Sequence, residues 1–233
     1  MIALDPRHLR TAAALRGAIE RKQHDVRAFR AALLDVPARE RDAWVDRVLG
    51  LADAPEDGPS LPAGGVPYFP CSVDFLLRVV DEAPVRASDV FVDIGAGTGR
   101  AMALVHLLTG ASSVGVEVQP EFVRAARALT ARLGLDRVAC WEGDAAAFGD
   151  ILAGGSVFFL NCPFSGARLN KVLDAIERVA LSRPVSLCCV LLPLPPRPWL
   201  VRDPAHDGEL EIYRGTSARP HDDACAVASD VRP

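Results

Sequence analysis

The sequence has no cysteine pair at C-x-x-C spacing and no cysteine beside histidines at zinc-ligand intervals, although Cys71, Cys140, Cys162, Cys188, Cys189 and Cys225 are present. Structural zinc sites depend on such short spacings, so no metal site is expected. Cys188 and Cys189 are adjacent in an apolar run, where a strand points them to opposite faces, and packing accounts for them. A basic excess is also missing: 26 Lys and Arg stand against 30 Asp and Glu, a formal net charge of −4. Proteins that grip duplex nucleic acid neutralise many phosphates, so that partner is disfavoured. No apolar run approaches the roughly 20 residues of a membrane span. Asp5, Arg7 and Arg10 leave no signal-peptide core behind Met1. The expectation is a cytoplasmic protein with no membrane partner. No internal repeat is found.

What is present is a globular composition. Half of the 233 residues are hydrophobic and 24% are charged, enough to bury a sizeable core. The length suits one core with an extension. Apolar residues at helical intervals, first Ala14, Leu15 and Ile19, later Trp44, Val45, Val48 and Leu49, predict two helices over 5–51, divided near Pro37. Residues 1–50 hold ten Lys and Arg against seven Asp and Glu. This local excess reads as a solvated helix face, with a hold on an acidic substrate as the alternative. Pro, Gly and acidic residues over 53–67 predict a linker or lid loop.

Beyond it, a helix through Phe75, Leu76, Val79 and Val80 leads to a strand at 89–94. Further strands are predicted at 113–118, 138–142, 156–161 and 185–192, with helices over 101–109, 120–133 and 166–181 between them. Strands alternating with helices predict a parallel, doubly wound α/β sheet with its ligand beyond the carboxyl ends of the strands. The run Pro193-Leu194-Pro195-Pro196-Arg197-Pro198-Trp199 cannot be an inner strand, since proline removes ladder donors. Glu209 to Tyr213 alternates as an edge strand does. Residues 1–66 are thus expected to form a helical extension with lid or linker, 67–216 a catalytic domain and 217–233 a disordered tail.

The strongest chemical signature is Val90-Phe91-Val92-Asp93-Ile94-Gly95-Ala96-Gly97-Thr98-Gly99: an apolar strand ending in an acid, then a glycine turn. The dinucleotide fingerprint G-x-G-x-x-G fails, because Arg100 stands where its last glycine belongs. An acid here would repel a pyrophosphate but suits a cationic amine or sulfonium. The turn resembles the first motif of the class I S-adenosylmethionine-dependent methyltransferases, an acid-x-Gly-x-Gly-x-Gly sequence. That resemblance implies S-adenosyl-L-methionine as cofactor and a mostly parallel, seven-stranded Rossmann-like sheet carrying an N-terminal helical extension. It also implies a cofactor cradle made of Asp93, the amides around Gly95, Gly97 and Gly99, Glu117 for the ribose hydroxyls and Asp144 for the adenine amino group. The blander role of Asp144 is to cap the Ala-rich helix expected to follow it.

The fourth strand runs into Asn161-Cys162-Pro163-Phe164. This resembles the Asn-Pro-Pro-Tyr/Phe motif of methyltransferases acting on amino or amide nitrogen, with Cys162 replacing the first proline. Over residues 66–195 the order of motifs is also similar to the histone lysine methyltransferases of the disruptor-of-telomeric-silencing family. Those resemblances imply Asn161, Pro163 and Phe164 as the acceptor-side residues, Asn161 also touching the cofactor. Asn and Pro are equally common in plain turns. Tyr68 is expected over the methionine end of the cofactor, or as an amphipathic aromatic at a junction. Trp199 is a further candidate for the acceptor pocket, and mid-helix His106 is expected to be structural. The implied activity is methyl transfer to nitrogen on a protein or small-molecule amine. Transfer to oxygen or carbon of a metabolite, or cofactor binding without catalysis, are the alternatives.

Overall fold

The computed structural model describes residues 4–51, 54–59, 61–147, 149–204 and 208–215, and the tail expected over 217–233 lies outside them. Helix α1 (Pro6–Glu20) opens on Asp5, whose carboxylate accepts the Arg7 N–H at 2.7 Å. One continuous helix up to Pro37 was the expectation; two are found. Lys22 turns left-handed at φ 56°, and Asp25 caps α2 (Val26–Asp35) through the Ala28 N–H. Asp25 is the start signal that helical composition obscured. Helix α3 (Ala38–Leu49) begins after Pro37 and stops at Gly50, and α4 (Val73–Glu82) is capped by Ser72.

Strands β1 (Val90–Ile94), β2 (Ser112–Glu117), β3 (Val138–Glu142), β4 (Val157–Asn161), β5 (Val185–Val190), β6 (Leu200–Arg202) and β7 (Leu210–Gly215) form one sheet among the described residues, ordered β3-β2-β1-β4-β5-β7-β6. The first five run parallel, and β7 is antiparallel to both of its neighbours. The 209–213 segment was expected at an edge, yet β7 is an inner strand. The edge belongs to β6, a three-residue strand too short and too exposed to show a period. The proline-rich 193–198 segment is irregular, as its missing N–H donors require.

Helices α5 (Arg100–Thr109), α6 (Pro120–Leu133), α7 (Gly149–Leu152) and α8 (Gly166–Ala180) cover the sheet. Residues alternate between its faces. Phe91 and Phe159 stack at 5.7 Å on the face shared with α1–α6, while Val92, Ile94, Phe158 and Leu160 pack toward α7 and α8. Phe29, Leu33, Trp44 and Val48 are fully buried in the same core as α4 and α5, so the N-terminal helices are part of the fold's packing. Strand order reverses between β1 and β4, which opens a crevice at their carboxyl ends.

Candidate functional site

That crevice is where the chemistry-bearing residues converge. Gly95, Glu117, Asp144, Asn161, Pro163 and Phe164 line a cavity of about 650 Å³, open space at its mouth included, roofed by the segment from Leu61 to Phe69. A smaller cavity continues beneath Tyr68 and Phe69 and is lined by Asp93, Gly95 and Asn161.

The glycine turn is shaped by close approaches. Gly95, Gly97 and Gly99 all have positive φ, which side chains rarely adopt. A Cβ on Gly95 would stand 2.7 Å from the Pro163 side chain, and one on Gly97 would overlap the Tyr68 ring. Gly99 instead packs against Ala126 and Met102, fixing the turn to α6. Glu117, at the end of β2, accepts the Gly97 N–H and the Gln119 N–H, each at 2.9 Å on a different oxygen. The carboxylate therefore organises the turn and retains acceptor capacity at both oxygens.

Asp93 is 3% exposed, and no described residue hydrogen-bonds to its carboxylate. Burial pushes its pKa up to about 8, and the nearby Glu117 charge adds to the shift. Asp144 accepts the Ala146 N–H at 3.0 Å and pairs with Arg168 at 2.6 Å through the same oxygen. Both its capping role and its place on the cavity are thus present. Arg168, which the sequence did not single out, sits 5.9 Å above the Phe164 ring.

At the β4 end, Asn161 donates its amide N–H to the Phe69 carbonyl at 2.9 Å, which fixes the amide's orientation and leaves Oδ1 without a bond among the described residues. Cys162 is held at φ 45°, a strained conformation for a side chain. Pro163 accepts the Val66 N–H at 3.1 Å, and Phe164 pairs with Gly65. The segment expected over 53–67 as a linker or lid loop is consequently, over its described residues, part of a strap reaching Cys71 and bonded to the site at several points. Asp57 accepts the Tyr68 N–H at 3.0 Å and a Gln119 side-chain N–H at 2.8 Å. Tyr68 bonds Thr98 at 3.0 Å and lies 4.6 Å from Phe122. Burial raises its pKa, so the hydroxyl stays protonated.

Two expectations about flanking residues resolve differently. Trp199 is buried against Gly215 in the core and does not line the cavity. Its proline-rich context resembled a pocket loop, but the indole fills the space that Gly215 leaves. His106 contacts the Ala111 carbonyl at 2.7 Å, a structural role. Among the described residues no cluster of His, Cys, Asp or Glu could hold a metal, and no helix is long and apolar enough to cross a membrane.

No family model and no curated protein matches the chain. Solved structures do. The Escherichia coli protein yhhF, a suspected methyltransferase, superposes with a TM-score of 0.53 at 16% identity, over 68% of this chain and 92% of its own. An RNA methyltransferase from Salinibacter ruber, in complex with S-adenosyl-L-homocysteine, gives 0.49 at 23% identity over 66% of this chain and 98% of its own. MccD protein gives 0.44 at 18% identity over 51% of this chain, which spans about half (52%) of MccD's length. At these identities the likeness establishes the fold, and it rests on the Escherichia coli protein, whose score exceeds one half.

Proposed function

We propose that the crevice binds S-adenosylmethionine and that the protein is a methyltransferase acting on nitrogen, with a protein amino group or an amine-bearing small molecule as acceptor. The observation that carries this proposal is that Asp93 and Asn161 line one small cavity beside the glycine turn. A buried carboxylate without a partner is costly, and a cationic amine or sulfonium relieves it. The other residues fit the same group. Glu117 has acceptor capacity for two hydroxyls, and Asp144, on the wall of the same cavity, keeps its second oxygen for an amino group.

When bound, the cofactor supplies a methyl group made electrophilic by its sulfonium charge. The chain's task is to hold and desolvate the acceptor. Asn161 Oδ1, its amide nitrogen committed to Phe69, accepts an N–H from the acceptor and so turns that nitrogen's lone pair toward the cavity. Phe164 and the strap exclude water. An amine arriving neutral needs no general base. The segment Asn161 to Phe164 supports nitrogen as the target, and the motif order similar to the disruptor-of-telomeric-silencing family favours a lysine-like amine. Within this proposal residues 67–216 form the catalytic unit and 1–66 its brace and roof.

Calorimetry with S-adenosylmethionine and S-adenosylhomocysteine tests the cofactor, and mass spectrometry of candidate peptides and amines tests transfer. Methylated nitrogen is the expected product. Methylated oxygen or carbon would overturn the choice of acceptor, and binding without transfer to any candidate would favour a non-catalytic module.

A further inference from the structure

Arg100 follows the glycine turn as the first residue of α5 and is only 6% exposed. A cation at a helix N-terminus opposes the helix dipole, so helix stability does not explain it. Its guanidinium instead joins three segments. Nε donates to Asp46 at 2.6 Å and Nη2 to the Asp42 carboxylate at 2.8 Å, both acids lying on α3 one turn apart. Nη1 donates to the Cys71 carbonyl at 2.6 Å, at the end of the strap. Asp42 also accepts the Val73 N–H at 3.0 Å, so α4 starts from the same junction. Two residues before Cys71, the Phe69 carbonyl holds Asn161; one residue further back, Tyr68 covers Gly97.

We propose that Arg100 is the positioning residue of the strap: by tying Cys71 to Asp42 and Asp46, it sets how Tyr68 and Phe69 lie over the glycine turn and Asn161. One route from the N-terminal helices to the site thereby runs through this side chain. A planar fork reaching four acceptor atoms on Asp42, Asp46 and Cys71 is a task for arginine; lysine keeps the charge but gathers its donors on a single nitrogen. The consequence for ligand retention rests on the cofactor proposal above, whereas the consequence for the strap does not.

The test uses the full chain with Arg100→Lys and, as a milder pair, Asp42→Asn and Asp46→Asn. Hydrogen exchange is followed at 64–71 and in α3 and α5, alongside S-adenosylhomocysteine dissociation by stopped flow. The expected result is at least tenfold faster exchange across 64–71, with protection in α3 and α5 retained, and at least tenfold faster ligand release. Faster exchange spread evenly over α3, α5 and the strap, or a strap unchanged in all three variants, would overturn the proposal. Should the unaltered protein fail to bind S-adenosylhomocysteine, the cofactor proposal falls, and exchange at 64–71 still decides the role of Arg100.

Discussion

The two ends of the crevice are built by different means. At the end proposed to hold the cofactor, Asp93 and Glu117 are set by a parallel ladder in which Asp93 faces Gly115 and Glu117 faces Glu142. At the end proposed to meet the acceptor, Asn161 likewise terminates a strand, but its surroundings are irregular: a strap held by a few hydrogen bonds, and Cys162 at positive φ. A ladder fixes position through many cooperative bonds, whereas a strap can be re-laid by changing one or two. A constant ligand suits the first design and a particular acceptor the second.

The sharpest way to break that contrast is Asn161→Ala. If the two ends are separate devices, turnover on the true acceptor falls about 100-fold or more, as when a polar group that organises a transition state is removed. Affinity for S-adenosylhomocysteine, read by calorimetry, should fall far less, by about tenfold at most, the part owed to the lost Phe69 anchor. Equal losses in both would merge the two ends into one.

The converse is Glu117→Ala. Ligand hydroxyls lose a charged acceptor, each such bond contributing about 1.5–3 kcal/mol, and so do two backbone N–H groups of the protein itself. Cofactor affinity should fall by roughly ten- to a hundredfold, with a lower thermal midpoint because Gly97 loses its anchor. Unchanged affinity would remove Glu117 from the site.

The same contrast explains what could be read from the sequence. The Asp93 to Gly99 turn, Glu117 and the Asn161 to Phe164 segment could be placed because strand ends and turns are local, and β3 and α6 fall where periodicity put them. The strap's lacing was invisible, since Asp57 to Gln119 and Asn161 to Phe69 join residues 62 and 92 positions apart. Arg100 looked like a missing glycine; only the fold brings Asp42, Asp46 and Cys71 around it. Trp199 misled because a tryptophan in a proline-rich loop has the same local appearance whether it lines a pocket or fills the core.

A pH series sharpens the cofactor end. Asp93 has its pKa raised to about 8 by burial and then by Glu117, so the folded, ligand-free protein holds a proton that the unfolded chain releases near pH 4. On this account stability falls as pH rises from about 4 to 8, by at most about 1.4 kcal/mol per pH unit. A cationic ligand needs the ionised form. Affinity should therefore climb up to about tenfold per unit toward pH 8 and then level off, with proton release on binding below that point. An Asp93→Asn variant should lose the climb.

The smallest expected effect lies on the seam between the two ends. Asp57 accepts from Tyr68 in the strap and from Gln119 two residues beyond Glu117. Among the described residues it is one of two links from the roof to Gln119, the other being the Gly58 N–H donated to Gln119 Oε1 at 2.8 Å, and it is made in an exposed position where water competes. Asp57→Ala should thus speed S-adenosylhomocysteine release only a few-fold, about 1 kcal/mol, and leave turnover at saturating cofactor nearly unchanged. Stopped-flow release measures the first and steady-state kinetics the second. If the change instead lowered turnover as strongly as Asn161→Ala, the strap would be part of the acceptor machinery along its whole length, and the division between a fixed cofactor end and an adaptable acceptor end would have to move to Gln119.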